Sequence, residues 1–209
     1  METKTFKEYR STYPTINYDD WKKRFPLYHD MMEEFHSKFD DMPKEQVSTG
    51  GTYSWYRKIA LFITKFKPKH IIEYGPGFST YLISKVIEDL DYDIKFTSYE
   101  DHPQYYNYIK EYGMDPLNVV ELVDYQITVK DDLYYFEYLH DYDKHKDVDC
   151  IFIDGPGKLT VYGEYKPNIN LNLEKFIRKL NKPILHTIDG RHDTGVYYRR
   201  LYKELGYEY

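Results

Sequence analysis

Lys69-His70-Ile71-Ile72-Glu73-Tyr74-Gly75-Pro76-Gly77-Phe78-Ser79-Thr80 is the stretch that decides how this chain folds. A short apolar run ends in an acidic residue, then in two glycines one residue apart, then in Ser-Thr ahead of an amphipathic run. That order reads as strand, tight backbone turn and helix start. In open α/β sheets, ligands bind at such a turn, outside the carboxyl ends of the strands. Gly75 and Gly77 let the backbone approach a ligand closely, and Ser79 or Thr80 is suited to cap the helix.

Working outward, the same alternation repeats towards the C-terminus. Strands are expected at about 70–74, 95–100, 118–123, 148–153 and 184–188. Helices are expected at 79–90, from Pro103, over the Leu171–Leu180 stripe and at 194–205, with a weak Tyr-rich helical segment at 132–142. Continuous apolar strands alternating with helices imply a doubly wound, mostly parallel sheet with helices on both faces, a Rossmann-like α/β fold. Towards the N-terminus, residues 1–18 read as an irregular arm and a helical stripe begins at Pro26. Val47–Thr52 breaks the chain, and Trp55, Ile59, Phe62, Ile63 and Phe66 line a helix stopped by Pro68. We therefore expect a helical cap over 1–52 and a ligand-binding domain over 53–209.

Composition bounds the function classes. The 209 residues carry a net charge of −6, which argues against a broad electrostatic footprint for nucleic acid. One cysteine, Cys150, leaves no intrachain disulfide framework, and it lies in an apolar strand as a buried thiol. No apolar run approaches a membrane span and the N-terminus has no signal-peptide core, so the expected location is the cytoplasm. The 26 tyrosines and the lone Ala60 point to an AT-rich coding genome, viral (and then the host cytoplasm) or low-GC bacterial. Tyr105-Tyr106 and Tyr134-Tyr135-Phe136 have acidic flanks, so they read as packing groups, not base-stacking platforms. His70, His102 and His140 read as ordinary surface or strand-flanking residues.

From about residue 55 to 205 the chain resembles the class I S-adenosylmethionine-dependent methyltransferases. The resemblance rests on Glu73-Tyr74-Gly75-Pro76-Gly77 after strand one, Glu100 ending strand two, and Asp154-Gly155-Pro156 ending strand four. It implies that S-adenosylmethionine is held by Glu73, Gly75, Pro76, Gly77, Ser79, Thr80, Glu100 and Asp154. Glu100 lies where one carboxylate can accept both ribose hydroxyls, a device that dinucleotide enzymes share. Those enzymes carry a third glycine where this chain has Thr80, which counts against an NAD-type reading. An NAD-type or sugar-nucleotide enzyme, or a non-catalytic module on the same fold, remains the alternative.

Methyl transfer to a hydroxyl needs alignment and removal of one proton. Asp154 is the candidate base or metal ligand, with Asp189 and His192 beside it in a group that also contains His186, Arg191 and Asp193. Asp193 reads equally as a helix cap. Catechol-type O-methyltransferases hold Mg²⁺ with an Asp ending strand four and an Asp-Asn pair ending strand five. Here Gly190 replaces the Asn, which disfavours Mg²⁺, and no metal ligand is assigned. The expected acceptor is a small molecule or a sugar-like hydroxyl. Methyltransferases of this class add two strands after the last helix, whereas this sequence reaches Tyr209 there. The resemblance therefore implies a shortened sheet, an edge that recruits a partner such as a second copy, or a truncated C-terminus.

Overall fold

In the computed structural model, the described residues are 53–90, 92–156, 159–161, 164–166 and 168–207, together with Ser37. The expected arm, the helix from Pro26, the Val47–Thr52 break, the 1–52 cap and Gly157 lie outside them. By contacts the chain divides into two compact units, one holding residues 1–67, 77–91 and 107–117, the other 68–76, 92–106 and 118–209.

The first unit contains helix α1 (Tyr53–Phe66) and helix α2 (Phe78–Glu88), which pack together. Ile59, Ala60 and Ile63 form the buried face of α1, at the helical spacing of its apolar residues. Lys67, at φ 48°, ends the helix one residue before Pro68. Gly77 occupies the N-cap of α2, and its N–H donates to Thr80 Oγ1 at 3.0 Å. Capping therefore runs backward from the third helical residue, and neither Ser79 nor Thr80 is itself the cap.

The second unit is built on a five-stranded sheet, all of whose pairs are parallel. Its strands are β1 (His70–Tyr74), β2 (Lys95–Glu100), β3 (Val120–Leu122), β6 (Cys150–Ile153) and β10 (Leu185–Ile188), in the order β10-β6-β1-β2-β3. Central β1 is buried throughout and flanked by β6 and β2, the arrangement of a Rossmann-like fold. Helix α3 (Pro103–Glu111) follows β2 and belongs to this unit only up to Tyr106, α4 (Asn172–Leu180) precedes β10, and α5 (His192–Glu204) follows it. Ile72, Tyr74, Tyr99, Ile151 and Ile153 from the sheet form one core with Leu173, Phe176, Ile177, Tyr198 and Leu201 from α4 and α5. Side chains of this size each contribute about 1.5–3 kcal/mol when fully buried, so this cluster contributes strongly to the stability of the unit.

The segment expected to be helical at 132–142 is instead a β-hairpin followed by a 3₁₀ turn. Strand β4 (Tyr125–Lys130) pairs antiparallel with β5 (Leu133–Tyr138), and β9 (Asn168–Asn170) adds parallel to β5. Asp131 and Asp132 both have positive φ, 52° and 60°, which gives the two-residue turn that matches strand twist. Aromatic residues prefer the pleated surface, and Leu133–Tyr138 is mostly aromatic. A short antiparallel pair, β7 (Leu159–Val161) with β8 (Glu164–Lys166), completes the strands.

His70 and His140 flank strands, as one of the two expected roles had it, but they are not surface residues. Asp147 Oδ1 lies 2.7 Å from His70 Nδ1, His70 Nε2 3.0 Å from His145 Nδ1, and His145 Nε2 2.6 Å from the Tyr99 hydroxyl. His140 stacks flat on Tyr99 with ring centroids 4.4 Å apart, and its Nε2 is 2.8 Å from the Tyr74 hydroxyl. Burial pushes His140 and His145 down to about 4, and lowers His70 as well, so all three rings are neutral at neutral pH. Cys150 is a buried free thiol within β6. Among the described residues, no helix is long and apolar enough to cross a membrane.

Candidate functional site

The carboxyl ends of β6, β1 and β2 lie side by side, because the register pairs Tyr74 with Tyr99 on one side and with Ile153 on the other. From β1 the chain proceeds to β2 and β3 on one flank, then to β6 and β10 on the other. Ligands bind open α/β sheets at that reversal.

Two glycine turns meet there. Gly75 has φ 84°, which favours glycine, and its N–H donates to the Tyr99 carbonyl at 3.0 Å. A Cβ on Gly75 would lie 2.6 Å from Gly155 Cα, and one on Gly155 would lie 2.8 Å from Gly75 N and collide with the Tyr138 hydroxyl. Both Asp154 and Gly155 donate their N–H to the Tyr74 carbonyl, at 2.8 and 2.6 Å. Gly75 thus has a packing reason as well as the ligand reason read from the sequence. Gly77 is the opposite case, since a Cβ there meets nothing within 4 Å.

Three acidic residues occupy the strand ends. Glu73 is fully buried and accepts from Ser98 Oγ at 2.6 Å. Glu100 is buried, and its Oε1 accepts from the N–H groups of Asp101 and His102 at 3.0 and 2.8 Å. Burial pushes Glu100 up to about 8 despite those two bonds. Burial also drives Asp154 well above the usual carboxylate range; Asp189 reinforces the rise and the Arg191 guanidinium opposes it. Arg191 Nη2 donates to the Asp154 carbonyl oxygen and lies 3.7 Å from Asp154 Oδ1. Asp189 joins the group because its N–H donates to the Ile153 carbonyl at 2.9 Å.

Glu73, Gly75, Pro76, Glu100, Asp154 and Asp189 therefore all lie in the second unit, whereas Gly77, Ser79 and Thr80 lie in the first. His192 is exposed on the first turn of α5. His186 bonds to the Ile184 carbonyl at 3.0 Å and sits 3.2 Å from the Tyr202 hydroxyl, half-buried within β10. Arg191, not Asp193, holds the N-cap position of α5. Among the described residues, no group of three or more His, Cys, Asp or Glu side chains could hold a metal ion.

Four supporting residues escaped the sequence reading. Asn172 pairs with the Tyr138 backbone, accepting its N–H at 3.0 Å and donating to its carbonyl at 2.9 Å. Asn170 Nδ2 donates to the Gly155 carbonyl at 3.3 Å, and Thr194 Oγ1 receives the Asn170 N–H at 3.3 Å. Tyr138 sets its hydroxyl beneath Gly155 and beside Asp101. The available signal was the alternation Asn168-Ile169-Asn170-Leu171-Asn172, which places amides at regular spacing beside an apolar strand position.

No family model matches this chain, and no curated protein matches it. Among solved structures, it is similar to a methyltransferase from Podospora anserina bound to SAH, with 16% identity and a TM-score of 0.35 over 69% of this chain and 61% of that one. A candidate O-methyltransferase from Klebsiella pneumoniae is similar at 16% identity and a TM-score of 0.32, over 70% of this chain and 56% of that one. The chain thus spans less than two thirds of the length of either structure.

Proposed function

We propose that this chain is an S-adenosylmethionine-dependent methyltransferase acting on a hydroxyl of a small molecule or sugar. The observation that carries this reading is the buried Glu100 carboxylate at the end of β2, beside the Gly75–Gly155 turn contact at the ends of β1 and β6. Backbone donors occupy Oε1 of Glu100, which leaves Oε2 for the ribose hydroxyls: it donates to one while the carboxyl is protonated and accepts from them once it is ionised. The residues fit the cofactor, because the two turns that pack together carry no side chain at Gly75 or Gly155 while the carboxyl groups of Glu100 and Asp154 stand at the ends of β2 and β6.

When bound, S-adenosylmethionine supplies a methyl group already activated by its sulfonium. Asp154 would take up the proton that the acceptor hydroxyl loses on methylation, the sulfonium being left as a neutral thioether. Burial raises the pKa of Asp154, which makes it a stronger base than an exposed carboxylate once it is ionised, and Arg191, 3.7 Å away, opposes that rise. Asp189 sustains the rise by like-charge repulsion.

Calorimetric titration with S-adenosylmethionine, S-adenosylhomocysteine and NAD tests the reading. The first two bind, and Glu100→Ala weakens both by roughly ten- to a hundredfold, the loss of the carboxyl's hydrogen bonds to the ribose. Tighter binding of NAD, or binding of neither cofactor class, overturns it.

A further inference from the structure

Strand β4 has an open outer edge: it ends its three-stranded sheet, and among the described residues no strand pairs beyond it. All six of its residues are exposed, including Tyr125 at 49%, Ile127 at 37% and Val129 at 57%. An apolar edge of this length is a template for strand pairing unless something covers it.

The hairpin register fixes which groups face outward. Lys130 closes the turn opposite Leu133, and the Leu139 N–H donates to the Asp124 carbonyl at 2.8 Å. Even-numbered residues therefore bond to β5, and the N–H and C=O groups of Tyr125, Ile127 and Val129 point away from it. The residues with unused backbone groups are thus the ones with apolar side chains.

We infer that β4 pairs antiparallel with β4 of a second copy of this chain about a two-fold axis through Ile127. In that register Ile127 faces its own copy and Tyr125 faces Val129, on one side of the sheet. On the other side Asp124 faces Lys130 at both ends, and Gln126 faces Thr128. Moving the axis to Gln126 sets Asp131 against Glu121, and moving it to Thr128 sets Asp124 against Asp132. Only the axis through Ile127 matches opposite charges while keeping outward groups opposed. The two three-stranded sheets then form one continuous sheet of six strands, independently of what the strand-end site binds.

Sedimentation equilibrium tests this on the full chain. The wild type sediments at twice the chain mass. Ile127→Pro sediments at the chain mass with an unchanged circular dichroism spectrum, since the lost N–H faces outward and serves no bond within the hairpin. Asp124→Lys alone weakens the dimer by about tenfold, and Asp124→Lys combined with Lys130→Asp restores it. A wild type that stays monomeric overturns the inference, and so does a dimer indifferent to both Ile127→Pro and the charge exchange. A monomer whose Tyr125, Ile127 and Val129 amides resist hydrogen exchange has that edge covered by its own chain, which also overturns it.

Discussion

Gly75 and Gly77 look alike in the sequence, yet the structure separates them. Gly75→Ala forces a Cβ into the Gly155 backbone at a positive φ, a fault of the fold itself. We expect that variant to lower the urea midpoint, with a loss of about 1–3 kcal/mol, as overpacking typically costs. Gly77→Val has open space and should leave the urea midpoint unchanged while abolishing S-adenosylmethionine binding. If instead both variants unfold alike, Gly77 is structural too. Asp154→Asn should leave cofactor affinity within a few-fold and cut methyl transfer by about a hundredfold or more, the scale for losing a general base. Assays in the presence of a chelator distinguish base from metal ligand, because only a metal ligand predicts loss in the wild type. Glu73 and Asp154 were legible because each ends a short apolar run, and Glu100 because it ends a strand about 20 to 30 residues beyond the glycines. The Gly75–Gly155 contact was not, because it joins positions 80 residues apart and depends on β6 lying beside β1.

At the scale of elements, the parallel strands were readable from their apolar runs, and β2 appears with the expected ends, Lys95–Glu100. The hairpin was missed because tyrosine suits helix or strand and Asp-Asp is a weaker turn signal than Asn-Gly. What fixes β5 is distant in sequence: Asn172, at the start of α4, bonds to both backbone groups of Tyr138. Asn172→Ala strands a buried N–H and a buried carbonyl, so it should destabilise the protein by about 2–4 kcal/mol in a urea titration. Asn172→Asp, which keeps the acceptor and loses the donor, should fall between the two. Equal stability of all three proteins would remove Asn172 from its anchoring role.

At the scale of the whole molecule, two sets of buried groups make stability depend on pH in opposite senses. The folded His140 and His145 titrate near 4 and their unfolded forms near 6.5, so the unfolded chain binds more protons in that window. Stability therefore falls as pH drops from 6.5 towards 4. Glu100 is raised to about 8 from an ordinary 4.5, so the folded protein binds the extra proton there, and stability falls as pH rises through that range. His70 and His186 are lowered too and Asp101 and Asp154 raised, so four histidines act against three carboxyls and stability of the ligand-free protein should peak near 6.5. Urea midpoints across pH check this: His145→Gln should flatten the acid limb and Glu100→Gln the alkaline limb. A profile with no maximum would mean that these groups are not buried as described.

The line of rings running inward from Asp147 also has a direction. An ionised Asp147 can only accept, so His70 Nδ1 donates to it, His70 Nε2 accepts from His145 Nδ1, and His145 Nε2 accepts from the Tyr99 hydroxyl. Every hydrogen points towards solvent, as in a row of compass needles aligned by the one at the end. Asp147 is 69% exposed, yet it sets the orientation of a hydroxyl in the core. A change at this one surface position would therefore be felt as disorder among buried rings, far from where the substitution was made.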